Sequence, residues 1–241
     1  MKKEMKREVR RNFIITGILL LLFILLIIAV LAIDVRPIGP SDSSVGLATI
    51  NKCMFEFLGV HIIWYHITDW LGVVAIAVAF IFALLGLVQL IRRKRIQLVD
   101  TNILALGVFY AVVILAYAFF ELVVVNYRPI LIEGNSGLEA SFPSSHTMIV
   151  LCIMATAIMQ FPYYIKNSSV RLWANIASIG IVAVTIIGRL ISGVHWFTDV
   201  LGGVLLGSGF IMLYYAVMHT TAFLPEKDVD DNIEDTPEQS M

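Results

Sequence analysis

Long apolar stretches separated by short polar segments dominate the pattern of this 241-residue sequence. An α-helix needs about 20 mostly apolar residues to cross the hydrocarbon layer of a bilayer. We therefore expect an all-α fold, a polytopic bundle of six transmembrane helices with no soluble domain large enough to fold separately. The predicted spans lie near residues 13–34, 70–91, 102–126, 145–163, 172–188 and 198–222.

The composition supports a membrane protein and excludes a water-soluble globule of this size, because 59% of the residues are hydrophobic and only 15% are charged. The net charge of −1 conceals an asymmetry. Basic residues cluster before the first span, at residues 92–95, and at Lys166, Arg171 and Lys227. Since cytoplasmic loops carry an excess of Lys and Arg, both termini are predicted to be cytoplasmic. Nothing in the charge pattern indicates nucleic-acid binding.

Three regions follow from this organisation. Residues 1–12 form a basic cytoplasmic N-terminal segment, residues 13–222 form the membrane domain, and residues 223–241 form an acidic, disordered cytoplasmic tail. The first span is longer than a signal-peptide core and no A-x-A site follows it, so we expect it to be retained. The longest connection, 35–69, is predicted to be an outer loop whose second part lies along the membrane interface.

Two outer loops carry the polar residues that suggest chemistry: NYRPILIEGNSGLEASFPSSH between spans three and four, and GRLISGVHWFTD between spans five and six. If the sixth helix begins near Ser192 or Gly193, Asp199 lies one turn below His195 on the same face. The carboxylate then accepts the proton of one imidazole nitrogen and leaves the other free as a nucleophile. The pair is typical of hydrolases that use a histidine held by an acid.

The remaining residues of these loops suit a phosphate group. Arg128 and Arg189 carry planar guanidinium groups that match phosphate oxygens bidentately. FPSSH is typical of a helix start, where the backbone amides of Ser144 and Ser145 can face an anion. His146 follows directly and is placed to protonate a leaving oxygen.

The order R-P, P-S-x-H and R-x5-H-x3-D resembles the three-part signature of the type 2 phosphatidic acid phosphatase superfamily, which includes the vanadium haloperoxidases. The family pattern is K-x6-R-P, P-S-G-H and S-R-x5-H-x3-D, and the match covers residues 121 to 199. The resemblance implies a six-helix membrane bundle with its active site at the outer end. Gly188 stands where the family has serine, and Ser145 stands where it has glycine.

Carried over residue by residue, the resemblance implies a phosphohistidine mechanism. His195 would attack phosphorus, Asp199 would orient it, and His146 would protonate the departing group and then activate water. No metal or other cofactor is needed. The phosphoryl oxygens would be held by Arg128, Arg189 and the region of Ser144 and Ser145.

The expected function is that of a membrane lipid phosphatase that acts at the outer leaflet of the cell membrane. Its substrate would be a phosphate mono- or diphosphate ester of a lipid: undecaprenyl pyrophosphate, phosphatidylglycerol phosphate or phosphatidic acid. One alternative is a phosphotransferase that passes the phosphoryl group to a lipid or sugar acceptor. Another is a non-catalytic lipid-binding or transport protein with a degenerate site. The sequence leaves the oligomeric state open.

Glu121 is the largest departure from the family pattern, since it falls where the family has a lysine. If the third helix continues, Glu121 lies two turns below Arg128 and faces the same pocket. It could pair with Arg128 or Arg189, recognise a hydroxyl or amine of the substrate, or mark altered or lost phosphatase activity. We expect the change to reduce the preference for pyrophosphate over monophosphate groups.

Overall fold

The computed structural model describes residues 2–131 and 137–221, so the acidic tail predicted for 223–241 lies outside the described residues. Almost all of the described secondary structure is helical, because long apolar segments in a bilayer must satisfy their backbone hydrogen bonds internally. The helices, in chain order, are α1 (Lys2–Ala32), α2 (Ala48–Leu58), α3 (Ile62–Arg93), α4 (Thr101–Leu122), α5 (Ser145–Tyr164), α6 (Ser168–Ile191) and α7 (Phe197–Thr221).

Six of these helices are long and apolar enough to cross a membrane, which confirms the predicted fold class, a multi-pass bundle. Two of the differences from the predicted boundaries affect the candidate site. α3 begins at Ile62, so residues 62–69, which we expected in the outer loop, form the first two turns of a spanning helix. The helix continues through Asp69 because that carboxylate is paired with Arg189 inside the bundle. α4 ends at Leu122, four residues earlier than predicted.

α5 lies at the centre of the bundle, where it contacts α3, α4, α6 and α7, while α1 packs along α7. Half of the span of α5 is buried, compared with 17% of the spans of α1 and α3. The peripheral helices expose apolar side chains around most of their circumference, as expected where lipid covers them. The buried core includes Leu106, Met148, Ala157, Leu206 and Tyr214.

The segment between α1 and α3 is anchored to the start of α7. It contains an antiparallel pair of two-residue strands, β1 (Arg36–Pro37) and β2 (Ser44–Val45), followed by α2. The buried side chain of Asn51 in α2 donates to the Thr198 hydroxyl at 3.0 Å and accepts the Thr198 amide at 3.1 Å. This amide has no partner within its own helix, so Asn51 satisfies it. The segment between α1 and α3 thereby holds the first turn of α7.

The connection between α4 and α5 folds back on itself at the same end of the bundle. Tyr127 and Ala140 form an antiparallel bridge, and the Ser141 amide donates to the Asn126 carbonyl at 2.9 Å. Trp196, just before α7, donates its indole N–H to the Tyr127 carbonyl at 2.8 Å. These bonds bring the two loops that carry the candidate chemistry into contact.

Candidate active site

His195 and Asp199 are placed by the turn between α6 and α7. Gly193 has a φ of 72°, a conformation that favours glycine, and α7 begins only at Phe197. The two residues therefore do not share a helix, and the condition for the predicted i,i+4 pairing, a helix start near residue 192, is not met. Asp199 Oδ2 instead accepts the free amide of Trp196 at 2.8 Å, and His195 Nδ1 lies 3.9 Å from this oxygen. That distance is too long for a direct hydrogen bond.

Ser141 links the histidine to the aspartate. Its hydroxyl donates to Asp199 Oδ2 and lies 3.3 Å from His195 Nδ1, and its carbonyl oxygen lies 3.2 Å from the same nitrogen. A carbonyl can only accept, so this geometry assigns the proton of the neutral ring to Nδ1. The lone pair of His195 is then on Nε2. Asn126 donates to the other carboxylate oxygen of Asp199 at 3.4 Å.

The free nitrogen of His195 is in a state that suits a nucleophile. Nε2 is buried without a hydrogen-bond partner among the residues that the structure describes. Burial holds the pKa of His195 well below its ordinary value of 6.5, and the positive charges of Arg128 and Arg189 add to this effect. The imidazole is therefore neutral near pH 7, with an available lone pair.

Arg128 approaches His195 from the loop after α4. Its Nε lies 2.8 Å from Glu139 Oε2, and its Nη1 is buried without a hydrogen-bond partner within residues 2–131 and 137–221. Arg128, Ser145, His195 and Glu121 line one pocket. An anion that entered this pocket would meet a guanidinium and an unprotonated imidazole nitrogen. The wall formed by α4 includes Ala116, Tyr117 and Phe120.

Glu121 lines the pocket, but the helical geometry predicted for it is wrong. α4 ends one residue after Glu121, so Arg128 lies beyond the helix rather than two turns further along one face. The guanidinium groups of Arg128 and Arg189 contact the carboxylates of Glu139 and Asp69 instead. Within the described part of the chain Glu121 pairs with neither arginine, and its side chain is exposed. The structure therefore contradicts the interpretation that Glu121 pairs with Arg128 or Arg189.

Arg189, Asp69 and His146 form the other side of the site. Arg189, fully buried in the last turn of α6, donates from Nη2 to Asp69 Oδ1, and this oxygen lies 3.1 Å from His146 Nε2. The ring of Tyr65 lies 5.1 Å from the Arg189 guanidinium carbon. A Cβ on Gly72 would lie 3.2 Å from the His146 ring, so glycine at this position allows α3 to approach α5 closely. Thus α3 contributes directly to the site.

The two serines of the FPSSH segment differ in what they can offer an anion. Ser144 precedes α5, and its amide donates to the Asp199 carbonyl at 2.9 Å, so this amide is already engaged, contrary to the prediction. Its hydroxyl accepts from Thr147 at 3.0 Å. Ser145 begins α5 and lines the pocket, and its amide, like others in a first turn, has no intrahelical partner. Of the two, Ser145 is the candidate phosphate contact.

Sequence reasoning missed two residues of this arrangement. Ser141 carries no motif signal, since its role depends on the fold of the loop. Asp69 had a signal, namely a carboxylate between aromatic residues next to a long apolar run, but it was assigned to the outer loop. His61 and His66 lie near the same end of the bundle, and neither contacts the catalytic candidates in the described structure.

Comparisons with known proteins agree with this picture. The family model of the PAP2 superfamily matches residues 123–222, from the end of α4 to the end of α7. A crystal structure described as the first transmembrane PAP2 type phosphatidylglycerolphosphate phosphatase, from Bacillus subtilis, is similar in fold, with a TM-score of 0.57. The two chains are 19% identical, and the similarity covers 86% of this chain and 96% of that one. No curated protein matches the sequence significantly.

Proposed function

We propose that this chain, whose residues 123–222 match the family model of the PAP2 superfamily, is a membrane lipid phosphatase of the cell membrane. It hydrolyses a phosphate mono- or diphosphate ester of a lipid at the outer leaflet. One observation carries the proposal: Nε2 of His195 is buried without a hydrogen-bond partner among the described residues, and the ring lines the same pocket as Arg128 and the apolar wall of α4. A nucleophile, a cation and an apolar surface together suit a lipid phosphate.

The first chemical step is attack of His195 Nε2 on phosphorus. A P–N bond forms while the P–O bond to the lipid alcohol or lipid phosphate breaks, and His146 supplies a proton to the departing oxygen. The Nδ1 proton of His195 stays on the ring, where the positive charge that develops is stabilised through Ser141 and the carboxylate of Asp199. This is the orienting role expected of a buried acid beside a catalytic histidine.

The second step is hydrolysis of the phosphohistidine. His146 has lost its proton in the first step and accepts one from water, whose oxygen attacks phosphorus. The P–N bond breaks, inorganic phosphate leaves, and His195 returns to its starting protonation state. Each proton that His146 gives is thus recovered from the attacking water.

Arg128, Arg189 and the amide of Ser145 stabilise the charge on the phosphoryl oxygens during both steps. Nη1 of each arginine is buried without a hydrogen-bond partner in the described structure, so donors are available to an entering anion. Donors already oriented in a site that excludes water stabilise a developing charge more strongly than donors in water.

The substrate candidates are undecaprenyl pyrophosphate, phosphatidylglycerol phosphate and phosphatidic acid. The similar Bacillus subtilis structure is described as a phosphatidylglycerolphosphate phosphatase, which supports the second candidate. Glu121 lines the pocket as an exposed carboxylate, so it disfavours additional negative charge near the phosphate and favours a hydroxyl or amine. We therefore rank monophosphate lipids above the pyrophosphate.

The test is phosphate release from the three lipids in detergent by purified wild type and His195→Ala. We expect release from at least one lipid and its loss in the variant. Release of no phosphate from any of them, under conditions in which a related enzyme is active, would overturn the proposal. Labelled substrate with added alcohol acceptors distinguishes a phosphotransferase, because the label then appears in the acceptor. Vanadate binding without turnover would indicate a non-catalytic lipid-binding protein.

A further inference from the structure

Asp69 of α3 connects two groups that the proposed mechanism assigns to phosphate. The same oxygen, Oδ1, accepts from Nη2 of Arg189 and lies 3.1 Å from Nε2 of His146. Arg189 is proposed to bind a phosphoryl oxygen, and His146 is proposed to protonate the leaving oxygen. A carboxylate oxygen therefore makes both contacts that an oxyanion of the substrate would make.

The two partners of this ion pair differ in freedom to move. The Arg189 side chain is 0% exposed and packs over the ring of Tyr65, whereas the Asp69 side chain is 34% exposed. Aspartate also has a short side chain that changes rotamer rapidly at a solvent-accessible position. When an anion enters, the carboxylate can turn outward while the guanidinium stays in place.

We propose that the carboxylate of Asp69 occupies the oxyanion position between Arg189 and His146 until substrate displaces it. This inference rests on the proposed function. Because the carboxylate returns as soon as the position is free, it competes with inorganic phosphate and weakens retention of the product. A site with two arginines and no such competitor would hold the phosphate dianion more tightly.

The competing explanation is that Asp69 only neutralises a buried arginine. Removing one member of a buried ion pair destabilises a protein under either explanation. The two differ in their response to phosphate. If Asp69 occupies an anion position, phosphate takes its place in a neutral variant and restores stability by binding the native state. If the pair is only structural, phosphate has no additional effect.

The experiment compares wild type with Asp69→Asn, Asp69→Glu and the surface control Glu56→Gln. Glu56 lies in α2, pairs with Lys52 at 3.8 Å, and has an exposed side chain. Two quantities are measured on each purified protein: the dissociation constant of radiolabelled inorganic phosphate by equilibrium dialysis, and the midpoint of thermal unfolding with and without phosphate. Neither measurement requires turnover.

We expect Asp69→Asn to bind phosphate at least about tenfold more tightly than wild type, as loss of a close opposing charge predicts. Its unfolding midpoint should be lower without phosphate and should rise more than that of wild type when phosphate is added. Asp69→Glu, which keeps the charge, and Glu56→Gln should bind phosphate as wild type does.

Equal or weaker binding by Asp69→Asn, or an unfolding midpoint that does not respond to phosphate, overturns the inference. Absence of phosphate binding in every protein also overturns it. If Asp69→Asn gains phosphate affinity while wild type hydrolyses no lipid, the inference about the anion position stands and the proposed function fails. The two failures are thus distinguishable.

Discussion

The two sides of the site differ in how their polar groups are satisfied. On the side of the proposed nucleophile, Ser141, His195 and Asp199 are at most 4% exposed, and hydrogen bonds through the Ser141 hydroxyl join them. On the other side, formed by Arg189, Asp69 and His146, the side chains of Asp69 and His146 are about one-third exposed, and ion pairs join the residues. Buried hydrogen-bond networks fix one geometry, whereas accessible ion pairs can exchange partners. The proposed nucleophile is therefore preorganised, while the groups proposed to bind the anion can adapt to the phosphate.

Replacement of His195 by alanine should give the largest effect, because it removes the proposed nucleophile. We expect a loss of about 10⁴-fold or more in kcat for lipid phosphate hydrolysis. His66→Ala is the matched control, since His66 is exposed and outside the site. The variant should still bind phosphate, because the arginines remain. Activity retained in His195→Ala would assign the nucleophile elsewhere.

Replacement of Ser141 by alanine should break the link between His195 and Asp199. The hydroxyl orients a catalytic group without touching phosphate, and loss of such partners lowers activity by about 10- to 100-fold. The decrease should appear in kcat rather than in KM. Ser178→Ala is a suitable control, since this buried hydroxyl only donates to the Ala174 carbonyl at 2.8 Å. A kcat equal to that of wild type would show that the link is unnecessary.

Glu121→Lys tests whether the exposed carboxylate at the pocket sets head-group preference. A positive charge here should raise turnover of pyrophosphate relative to monophosphate lipids by about tenfold, since it attracts the additional charge. Glu121→Gln should give an intermediate ratio. The measurement is the ratio of kcat/KM for the two lipid classes. An unchanged ratio in both variants would mean that Glu121 has no role in selection.

The pH dependence of kcat/KM tests the electrostatic effect of Arg128 on His195. The pKa of His195 is lowered, so protonation of this nucleophile removes activity only well below pH 6.5. Arg128→Gln removes one cause of the lowered pKa, although burial remains. We expect the acidic limb attributable to His195 to move to higher pH in this variant. A limb that moves to lower pH, or stays in place, would contradict the assignment.

Asn51→Ala should have the smallest effect on chemistry and a measurable effect on stability. It leaves the buried amide of Thr198 without a partner, which costs about 1–3 kcal/mol. Asn175→Ala is the control, because Asn175 Oδ1 already lacks a hydrogen-bond partner within the described residues. Thermal unfolding in detergent measures the difference. Equal midpoints for the two variants would show that α2 does not stabilise the start of α7.

Part of the site could be predicted from the sequence because the spacing of residues within short motifs identifies it. His195, Asp199, Arg128, Arg189 and His146 were named from motifs, and the structure places them at one end of the bundle. Their partners were not predictable in the same way. The expected direct contact between His195 and Asp199 failed because the start of a helix depends on which groups satisfy its first amides. Here Asp199 caps its own helix and reaches His195 through a serine.

The sequence by itself determined the number of membrane spans, the end of the bundle that carries the polar loops, and the residue types available there. Hydropathy and motif spacing are properties of residues close together in the sequence, so they can be read without knowledge of tertiary contacts. Only the tertiary structure decided which carboxylate each arginine meets. Asp69 is 120 residues from Arg189, and nothing in local periodicity indicates that pairing. Long-range packing of α3 against α5 and α6 brings them together, and it gives the site an acidic partner that the motifs do not contain.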